Sequence, residues 1–479
     1  MIGDSAPHRP PRLRDITAIA LPMVVSQASE TVMLFVDRLF LSRLGKLYIA
    51  ASWSAGLTTF TVMSLFLGII GYVNAVVAQN DGAGRPRACA RSVAQALRLA
   101  LVGWPILILM IPLVRLFFQG MGHLPDQVDL EMTYFSILIY GSILGLTRTA
   151  LAGFFIGLGR TRVVMAANIA GMVMNVPANW ILIFGKFGLP AMGIAGAAYG
   201  TLIGTAAINM ILAAVYFSKK YRRDYQTHRE WRFDKKLAKV MVEFGSPAGV
   251  ETFLNVAAFN FFVQLMHSYG PDTAAAVTIA FNYDMVAFIP MLGLGFAATT
   301  LSGRYVGARN IAGAERSTWL TLRVGGVYAS VMMALFVFAA RPLVNVFAAG
   351  LEGGGESVAP LARTILRLAA IYTLADATQL IFAGALRGAG DTKYVMRISV
   401  ALHWGFAVIA WFAIKRFAVP PVTMWVIFIG FVITLGAAMY LRYRIGPWRG
   451  MSLVEDKEPG DDSELVSPGV GYEDRDSLC

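Results

Sequence analysis

The chain has 479 residues, of which 57% are hydrophobic and only 15% are charged. Its mean hydropathy of +0.60 is far above that of a soluble domain, so the composition indicates an integral membrane protein and excludes a soluble fold. The net charge of +12 does not indicate nucleic-acid binding, because the basic residues lie in loops between apolar segments.

Twelve mainly apolar segments follow one another along the chain, each long enough to cross a bilayer as a helix of about 20 residues. We therefore predict an all-α membrane protein with twelve transmembrane helices. The first segment is too long for a secretory signal and lacks a cleavage site of small residues, so we expect it to be retained. The predicted spans are residues 15–43, 49–78, 92–118, 131–157, 162–186, 192–218, 237–268, 274–303, 318–347, 360–386, 394–415 and 420–444.

The second half of the chain repeats the first at a nearly constant offset. Pro22 corresponds to Pro247, and AGFFIGLGRTR from Ala152 corresponds, at a slightly larger offset, to AGALRGAGDTK from Ala383. Since each half holds six spans, both halves enter the membrane in the same direction. This predicts two six-helix bundles related by a pseudo-two-fold axis along the membrane normal, a plan found in secondary transporters; duplication for stability alone is the other interpretation. We expect Pro22 and Pro247 to bend their helices.

Most loop arginines and lysines follow even-numbered spans, including the segment KKYRRDYQTHREWRFDKK. Because cytoplasmic loops are enriched in these residues, we predict a multi-pass protein of the plasma (inner) membrane with both termini cytoplasmic. The acidic C-terminal segment has no apolar period and is predicted to be disordered. The predicted domains are a cytoplasmic N-terminal tail (1–14), an N-lobe of helices 1–6 (15–218), a basic cytoplasmic linker (219–236), a C-lobe of helices 7–12 (237–445) and an acidic tail (446–479).

A first group of polar residues lies inside the N-lobe spans. An ionisable residue in the middle of a membrane helix costs about 3 kcal/mol, so those that are retained are candidate functional residues. Asp37 lies on the first span, and Asn175 and Asn179 share one face of the fifth. Facing each other, they would offer one carboxylate and two amide oxygens, which suit a small cation such as Na⁺; hydrogen bonds that only pack the bundle are the other interpretation. Glu30, two turns before Asp37, either joins this site or pairs with a neighbour.

A second group lies in the C-lobe: Glu251 on the seventh span, Asp284 on the eighth and Asp376 on the tenth. Carboxylates that share a cavity of low dielectric constant cannot all ionise cheaply, so we expect at least one to bind and release a proton. Glu251 and Asp376 are also candidate Na⁺ ligands. Tyr372, one turn before Asp376, is expected to donate a hydrogen bond to it.

The acids of the C-lobe also have a structural interpretation, and the sequence lacks the motifs of several other protein classes. A purely structural role would pair the acids with Arg397 or His403 on the eleventh span. The sequence has no glycine-rich loop for ATP, no metal-spaced histidine cluster and no cysteine framework. We therefore expect neither an enzyme nor a primary pump, and no cofactor besides a coupling ion, Na⁺ or H⁺.

Six motifs follow one another over about residues 15–445: FVDRLFLSRLG, AQNDGAGR, GRTR, NVPANWILIFG, GSPAGVE and AGALRGAGDTK. Taken in this order, they resemble the multidrug and toxic compound extrusion family, most closely its bacterial, NorM-like branch. The resemblance implies a first-lobe cation site at Asp37, Asn175 and Asn179, and second-lobe acids at Glu251 and Asp376, with Tyr372 beside the latter. It implies export of organic cations or amphipathic compounds in exchange for inward Na⁺ or H⁺. Glu30 and Asp284 are not expected as general family features.

The alternative function is a flippase for a lipid-linked precursor, which members of the same superfamily perform. That function would need a cationic cavity for phosphate, and the acids of this chain argue against it. A channel is disfavoured by the two-lobe duplication. The expected partners are small organic substrates and the lipid bilayer, with no nucleic acid, and the protein is expected to be a monomer.

Overall fold

The structure is a computed structural model that describes residues 9–121, 125–348 and 358–454. Within these ranges eleven helices are long and apolar enough to cross a membrane, and a bent pair, α6 and α7, makes a twelfth. The helices are α1 (Leu13–Ser42), α2 (Lys46–Gly71), α3 (Val73–Gly82), α4 (Pro86–Leu109), α5 (Ile111–Gly120), α6 (Pro125–Tyr140), α7 (Ser142–Gly157), α8 (Thr161–Phe184), α9 (Gly193–Tyr216), α10 (Lys219–Asp224), α11 (Lys235–His267), α12 (Pro271–Gly307), α13 (Ile311–Phe338), α14 (Ala340–Ala348), α15 (Val358–Ala389), α16 (Thr392–Lys415) and α17 (Pro421–Ile445), followed by a short 3-10 helix (Pro447–Gly450).

The all-α fold with its two bundles is confirmed, and the differences from the predicted spans are interruptions. The second span is α2 and α3, which join at Tyr72, and the third continues into α5, where Pro112 starts a new helix. The fourth span bends by 46° between α6 and α7. A Cβ on Gly141 at this bend would lie 2.2 Å from the Leu202 side chain, so glycine allows α9 to approach. Pro22 lies inside the continuous helix α1 and Pro247 inside α11, and bending at these two positions stays a prediction.

Two of the three segments that were predicted to lie outside the lobes, the linker and the acidic tail, are partly folded onto them. The basic linker forms α10 and the start of α11, and its acidic residues Glu230 and Asp234 pair with Arg91 of α4 at 2.8 and 3.4 Å. Disorder was wrongly predicted for residues 446–454, because the indole of Trp448 is completely buried. Residues 455–479 of the acidic tail, like residues 1–8, lie outside the described part of the chain.

Helices α1–α9 form the N-lobe and α11–α17 form the C-lobe, each around apolar cores. The first turns of α1 and α11 are exchanged between these cores. Ile16 and Ile19 of α1 belong to a C-lobe cluster with Leu294, whereas Met241 of α11 belongs to the N-lobe cluster. Ile16 and Met241 are equivalent positions of the internal repeat, so the exchange follows the duplication.

The lobes meet most closely at one end, which we call the basic end because the loops rich in arginine and lysine lie there. The ends of α3 and α12 cross here, backbone against backbone. A Cβ on Gly82 would lie 1.9 Å from the Arg304 carbonyl oxygen, and one on Gly307 would lie 2.0 Å from the Gln79 carbonyl oxygen. Gly82 is equivalent to Gly307 in the repeat, and Gln79 to Arg304, so the crossing marks the pseudo-two-fold axis. Only residues without a side chain permit so close an approach.

Polar groups seal this crossing. Asp81 forms an ion pair with Arg304 of the other lobe at 2.8 Å and accepts a hydrogen bond from the Tyr225 hydroxyl of the linker at 3.4 Å. Burial, and after it the charge of Asp81, raises the pKa of the Tyr225 phenol well above its usual value, so this hydroxyl remains a donor. The linker therefore reinforces the closed end of the molecule.

Toward the opposite end the lobes diverge. Gly293 of α12 packs against Ala20 and Val24 of α1, but further along the same two helices Phe35 is 65% and Val286 is 58% exposed. The contact between α1 and α12 therefore ends within the half of the molecule that includes the basic end.

The crossing predicts a strong difference between glycines. We expect Gly307→Ala to lower the free energy of unfolding by about 1–3 kcal/mol, because the new methyl group overlaps the Gln79 carbonyl. Gly430→Ala in α17 is the matched control, since a Cβ there meets nothing within 4 Å. Thermal unfolding of the purified variants should show a lower melting temperature for Gly307→Ala alone, and equal melting temperatures would contradict the crossing.

Candidate functional site

The N-lobe brings three predicted side chains together and adds a fourth. Asp37 is 3% exposed, and Asn175 and Asn179 are completely buried. The Asn179 side-chain amide donates to Asp37 and, at 3.2 Å, to the side-chain oxygen of Asn175. Thr201 of α9, which the sequence analysis missed because lone threonines are common in membrane helices, donates to Asp37 at 3.2 Å. We call these four residues the N-lobe site.

The register of two parallel helices sets this geometry. Ser26 of α1 accepts a hydrogen bond from Asn168 of α8 at 2.6 Å, and Asp37 accepts one from Asn179. The sequence separation is the same in both pairs, so α1 and α8 lie side by side with a constant register. The polar residues of the two helices therefore face each other in successive layers.

Small residues on α9 make room for the two amides. A Cβ on Gly200 would lie 1.8 Å from the side-chain oxygen of Asn179, and one on Gly204 would lie 2.8 Å from the Cβ of Asn175. The close approach of α9 is what carries Thr201 to the Asp37 carboxylate.

The site has unused polar capacity. Within the described residues, the Asn179 side-chain oxygen and the Asn175 side-chain nitrogen have no hydrogen-bond partner, and Asp37 forms no ion pair. The neighbouring guanidinium of Arg38 lies instead over the Trp53 ring, 4.1 Å from its centroid. A rotation of the Asn179 amide would present a second amide oxygen to Asp37, giving a carboxylate, amide oxygens and a hydroxyl. This donor set fits Na⁺.

The equivalent positions of the C-lobe hold apolar side chains. On α1 the repeat keeps the offset between Pro22 and Pro247, and on α8 it keeps the offset between Thr161 and Thr392, the first residues of α8 and α16. The three predicted residues of the N-lobe site then correspond to Phe262, Phe406 and Ala410. All three are buried in the C-lobe core, and the two phenylalanine rings pack 4.9 Å apart. The fold therefore does not require a polar cluster at this position.

Glu30 pairs with neighbours and does not join the N-lobe site. Its carboxylate accepts hydrogen bonds from Arg148 of α7 at 3.1 Å and from Asn168 at 2.9 Å. Arg148 was not among the predicted site residues, although a lone arginine in the middle of the fourth predicted span indicates a buried partner.

In the C-lobe, Asp284 and Asp376 lie close to Tyr372. The Tyr372 hydroxyl donates to Asp284 at 3.0 Å, so the prediction that it bonds to Asp376 is wrong. The physical reason is that α12 and α15 run in parallel and Tyr372 faces α12. The Asp376 carboxylate is near enough to interact electrostatically with Asp284, and it has no hydrogen bond or ion pair within the described ranges.

Glu251 belongs to a different cluster. It is 2% exposed and pairs with Arg387 of α15 at 2.7 Å, not with Arg397. His403 is near enough to interact electrostatically with Glu251, but its ring nitrogen bonds to the Ser399 carbonyl oxygen. Arg387 lies beyond the predicted end of the tenth span, whereas α15 continues past it to Ala389.

This pairing changes the second predicted Na⁺ site. Because Arg387 already neutralises Glu251, and the polar contacts of Glu251 and Asp376 do not connect, the structure does not bring these two acids into one Na⁺ site. The N-lobe site is the better candidate for a cation.

Two six-helix bundles, a sealed crossing at one end and buried acids in each lobe define a duplicated membrane transporter. A family model described as MatE matches residues 22–181 and 247–410, once in each lobe. These matches cover more than half of the chain, which therefore belongs to the MatE family, and the resemblance found in the sequence is confirmed. The two matches begin at Pro22 and Pro247, the pair that revealed the repeat.

Relatives and solved structures agree with this assignment. The chain is 27% identical over 435 residues to a probable multidrug resistance protein NorM of Bradyrhizobium diazoefficiens, with 89% of this chain and 92% of the relative covered. It is 29% identical over 399 residues to the protein of the same name from Neisseria meningitidis serogroup A, covering 82% and 85%. Two solved structures share the fold, each covered to 98% and covering 93% of this chain. They are a MOP superfamily transporter from Pyrococcus furiosus (18% identity, TM-score 0.82) and an outward-facing multidrug resistance MATE family transporter (19%, 0.84).

The pair of Glu30 and Arg148 generates a prediction about stability. Arg148→Met should lower the free energy of unfolding by about 1–3 kcal/mol, because it leaves the half-buried Glu30 carboxylate without its cation, whereas the double variant Glu30→Gln/Arg148→Met should recover most of this loss. Thermal unfolding of the two variants measures the difference.

The control for this measurement is the exposed pair of Lys393 and Glu243 at the basic end. Lys393→Met should cost less than about 1 kcal/mol, as for other surface pairs. An Arg148→Met variant as stable as Lys393→Met would show that the pair with Glu30 is solvated and unimportant for the fold.

Proposed function

We propose that this protein is a secondary active multidrug efflux transporter, which exports organic cations or amphipathic compounds in exchange for inward Na⁺ or H⁺. The names of its relatives support the multidrug class, and the buried acids support coupling to a cation. The two lobes would open alternately toward either side of the membrane, with the crossing of α3 and α12 closing one of the two pathways.

The observation that carries the proposal is the buried Asp37, which has no cationic partner among the described residues. A carboxylate inside a lobe needs a partner, and the partners here are an amide and a hydroxyl. Because the C-lobe fills the equivalent position with packed apolar side chains, the fold itself does not require an acid there. We infer that Asp37 reversibly binds the coupling cation, Na⁺ or H⁺.

A coupling cation that binds at the N-lobe site can replace hydrogen bonds that Asp37 now accepts. In the present arrangement the Asn179 amide donates its hydrogens to Asp37, and a bound Na⁺ or proton would replace that donor. The helices α1, α8 and α9 meet at these four residues, so occupancy would alter their packing. A ligand shifts a conformational equilibrium only by its difference in affinity between the states, and this site offers such a difference.

The acids of the C-lobe are the proposed site for cationic substrate. Asp284 and Asp376 are partly exposed, and two neighbouring carboxylates favour either a shared proton or an external cation. Protons or substrate would therefore compete for this pair. Tyr372 orients the Asp284 member.

The distribution of basic residues supports the direction of transport. With the basic end in the cytoplasm, the described conformation is closed to the cytoplasm and open outward, ready to release substrate and take up the coupling ion. A flippase for phosphate-containing lipids is disfavoured, because Arg148 and Arg387 are both neutralised by glutamates.

Transport in liposomes tests this proposal. Purified protein should move a fluorescent organic cation when a Na⁺ or H⁺ gradient is imposed, and Asp37→Asn or Asp376→Asn should reduce the rate at least about tenfold, equivalent to about 1.4 kcal/mol. The matched control is Glu243→Gln, which changes an exposed carboxylate at the basic end and should transport normally. If no gradient drives movement, the function is wrong; if both aspartate variants keep full rates, the coupling sites are wrong.

Ion binding can be measured without transport. If Na⁺ is the coupling ion, raising it to about a hundred times its dissociation constant should stabilise the protein by about 2.7 kcal/mol, relative to K⁺ at equal ionic strength. The resulting increase in melting temperature should be lost in Asp37→Asn and reduced in Thr201→Ala.

Thr205→Ala is the matched control, because this hydroxyl bonds only to the Thr201 carbonyl on its own helix. If the melting temperature does not change with Na⁺ but rises at lower pH in the wild type, and does not rise in Asp37→Asn, the coupling ion is H⁺. A response to Na⁺ that persists in Asp37→Asn would remove the ion from the N-lobe site.

A further inference from the structure

The segment after the last helix crosses from one lobe to the other at the basic end. Its first part is fixed to the C-lobe. The Trp448 indole donates to the Tyr443 carbonyl oxygen at 2.7 Å and stacks on the Tyr443 ring, 4.7 Å between centroids, while Arg449 pairs with Glu315 of α13 at 2.7 Å. These contacts give the chain a firm anchor before it reaches the boundary between the lobes.

Its second part binds the N-lobe. The backbone N–H of Leu453 donates to the side-chain oxygen of Gln79 at 2.7 Å, in a buried position. The Leu453 side chain is 7% exposed and belongs to the same apolar cluster as Tyr72 and Met241. It also lies against Gly390, where a Cβ would be 3.3 Å from Leu453. Leu453 therefore fills the seam between the lobes.

Gln79 is the residue on which this seam converges. Its side-chain nitrogen donates to the Gly388 carbonyl oxygen of α15 at 2.8 Å, its side-chain oxygen accepts from Leu453, and its backbone carbonyl contacts Gly307. All three partners belong to the C-lobe or to the segment that follows it, and Gln79 itself is completely buried. Moving α3 away from α12 would break these contacts together.

We propose that residues 447–454 form a strap that holds the basic end closed, with the Leu453 to Gln79 hydrogen bond as its clasp. To open the basic end, Leu453 must move out of the seam. The Leu453 N–H and the Gln79 side-chain oxygen then lose their mutual hydrogen bond and must be hydrated instead. The strap thus contributes to the balance between the closed and open states from a position outside the ion and substrate sites. This proposal rests on the proposed function, in which the lobes alternate between a state closed at the basic end and a state open there.

Distance measurements between spin labels test the strap directly. Labels on Cys substituted for Arg162 and Ala312, exposed residues at the basic ends of α8 and α13, would report separation of the lobes in nanodiscs, in a Cys89→Ala/Cys479→Ser background. Removal of residues 451–479 should raise the population with the longer distance by about three- to tenfold, the effect of one lost hydrogen bond. Removal of residues 455–479 keeps the strap and is the matched control, which should match the full chain.

A point variant keeps the test decisive if the longer truncation fails to fold. Leu453→Asp in the full chain puts a charge into the buried seam and should raise the longer-distance population in the same way. Equal distance distributions for the two truncations, or for Leu453→Asp and the full chain, would overturn the strap. Since the labels need neither gradient nor substrate, a loss of transport with an intact distance response would count against the proposed function and not against the strap.

Discussion

The backbone crossing of α3 and α12 is the constraint on which the other features depend. Two glycines, Gly82 and Gly307, remove the side chains that would keep the helices apart, and the equivalence of the two contacts places them on the molecular axis. Once the backbones touch, the polar groups around them must find partners across the lobe boundary, as Asp81 does with Arg304. Such an interface is either closed or open, because partial separation would leave buried polar groups without water or partners.

The two lobes share their framework but differ in their chemistry. The hydrogen bond between Glu30 and Asn168 in the N-lobe has its counterpart, at the repeat offsets, in the bond between Asn255 and Ser399, 2.8 Å long, in the C-lobe. The layer nearer the opposite end has diverged completely, from the polar N-lobe site to packed phenylalanines. Conversely, Asp376 corresponds to Gly145 of the N-lobe. Asp37 and Asp376 therefore each lie at a position that the other lobe fills with an apolar residue or glycine.

Much of this architecture could be predicted from the sequence, because hydrophobic length and the repeat are properties of the chain alone. The meeting of Asp37 with Asn179 could also be predicted, since an acid on one apolar span and paired amides on another satisfy each other. The partners of Glu251 and Tyr372 could not. Arg387 was predicted to lie in the loop after the tenth span, but α15 continues past it. The spacing of Tyr372 from Asp376 places both side chains on one face of the helix, but it does not say which neighbouring helix that face contacts. Interlobe contacts such as that of Leu453 with Gln79 join residues that are far apart along the chain, and local sequence patterns do not predict such contacts.

The end of α15 connects the acids of the C-lobe with the crossing. The guanidinium of Arg387 holds Glu251, while its carbonyl oxygen accepts a hydrogen bond from Tyr72 of the N-lobe at 3.0 Å, and the next residue, Gly388, accepts one from Gln79. One helical turn thus binds a buried carboxylate on one side and the opposite lobe on the other. Because α15 also carries Asp376 and Tyr372, a shift of this helix that follows a change of charge at its acids would act first on Gln79, the residue that the strap clasps.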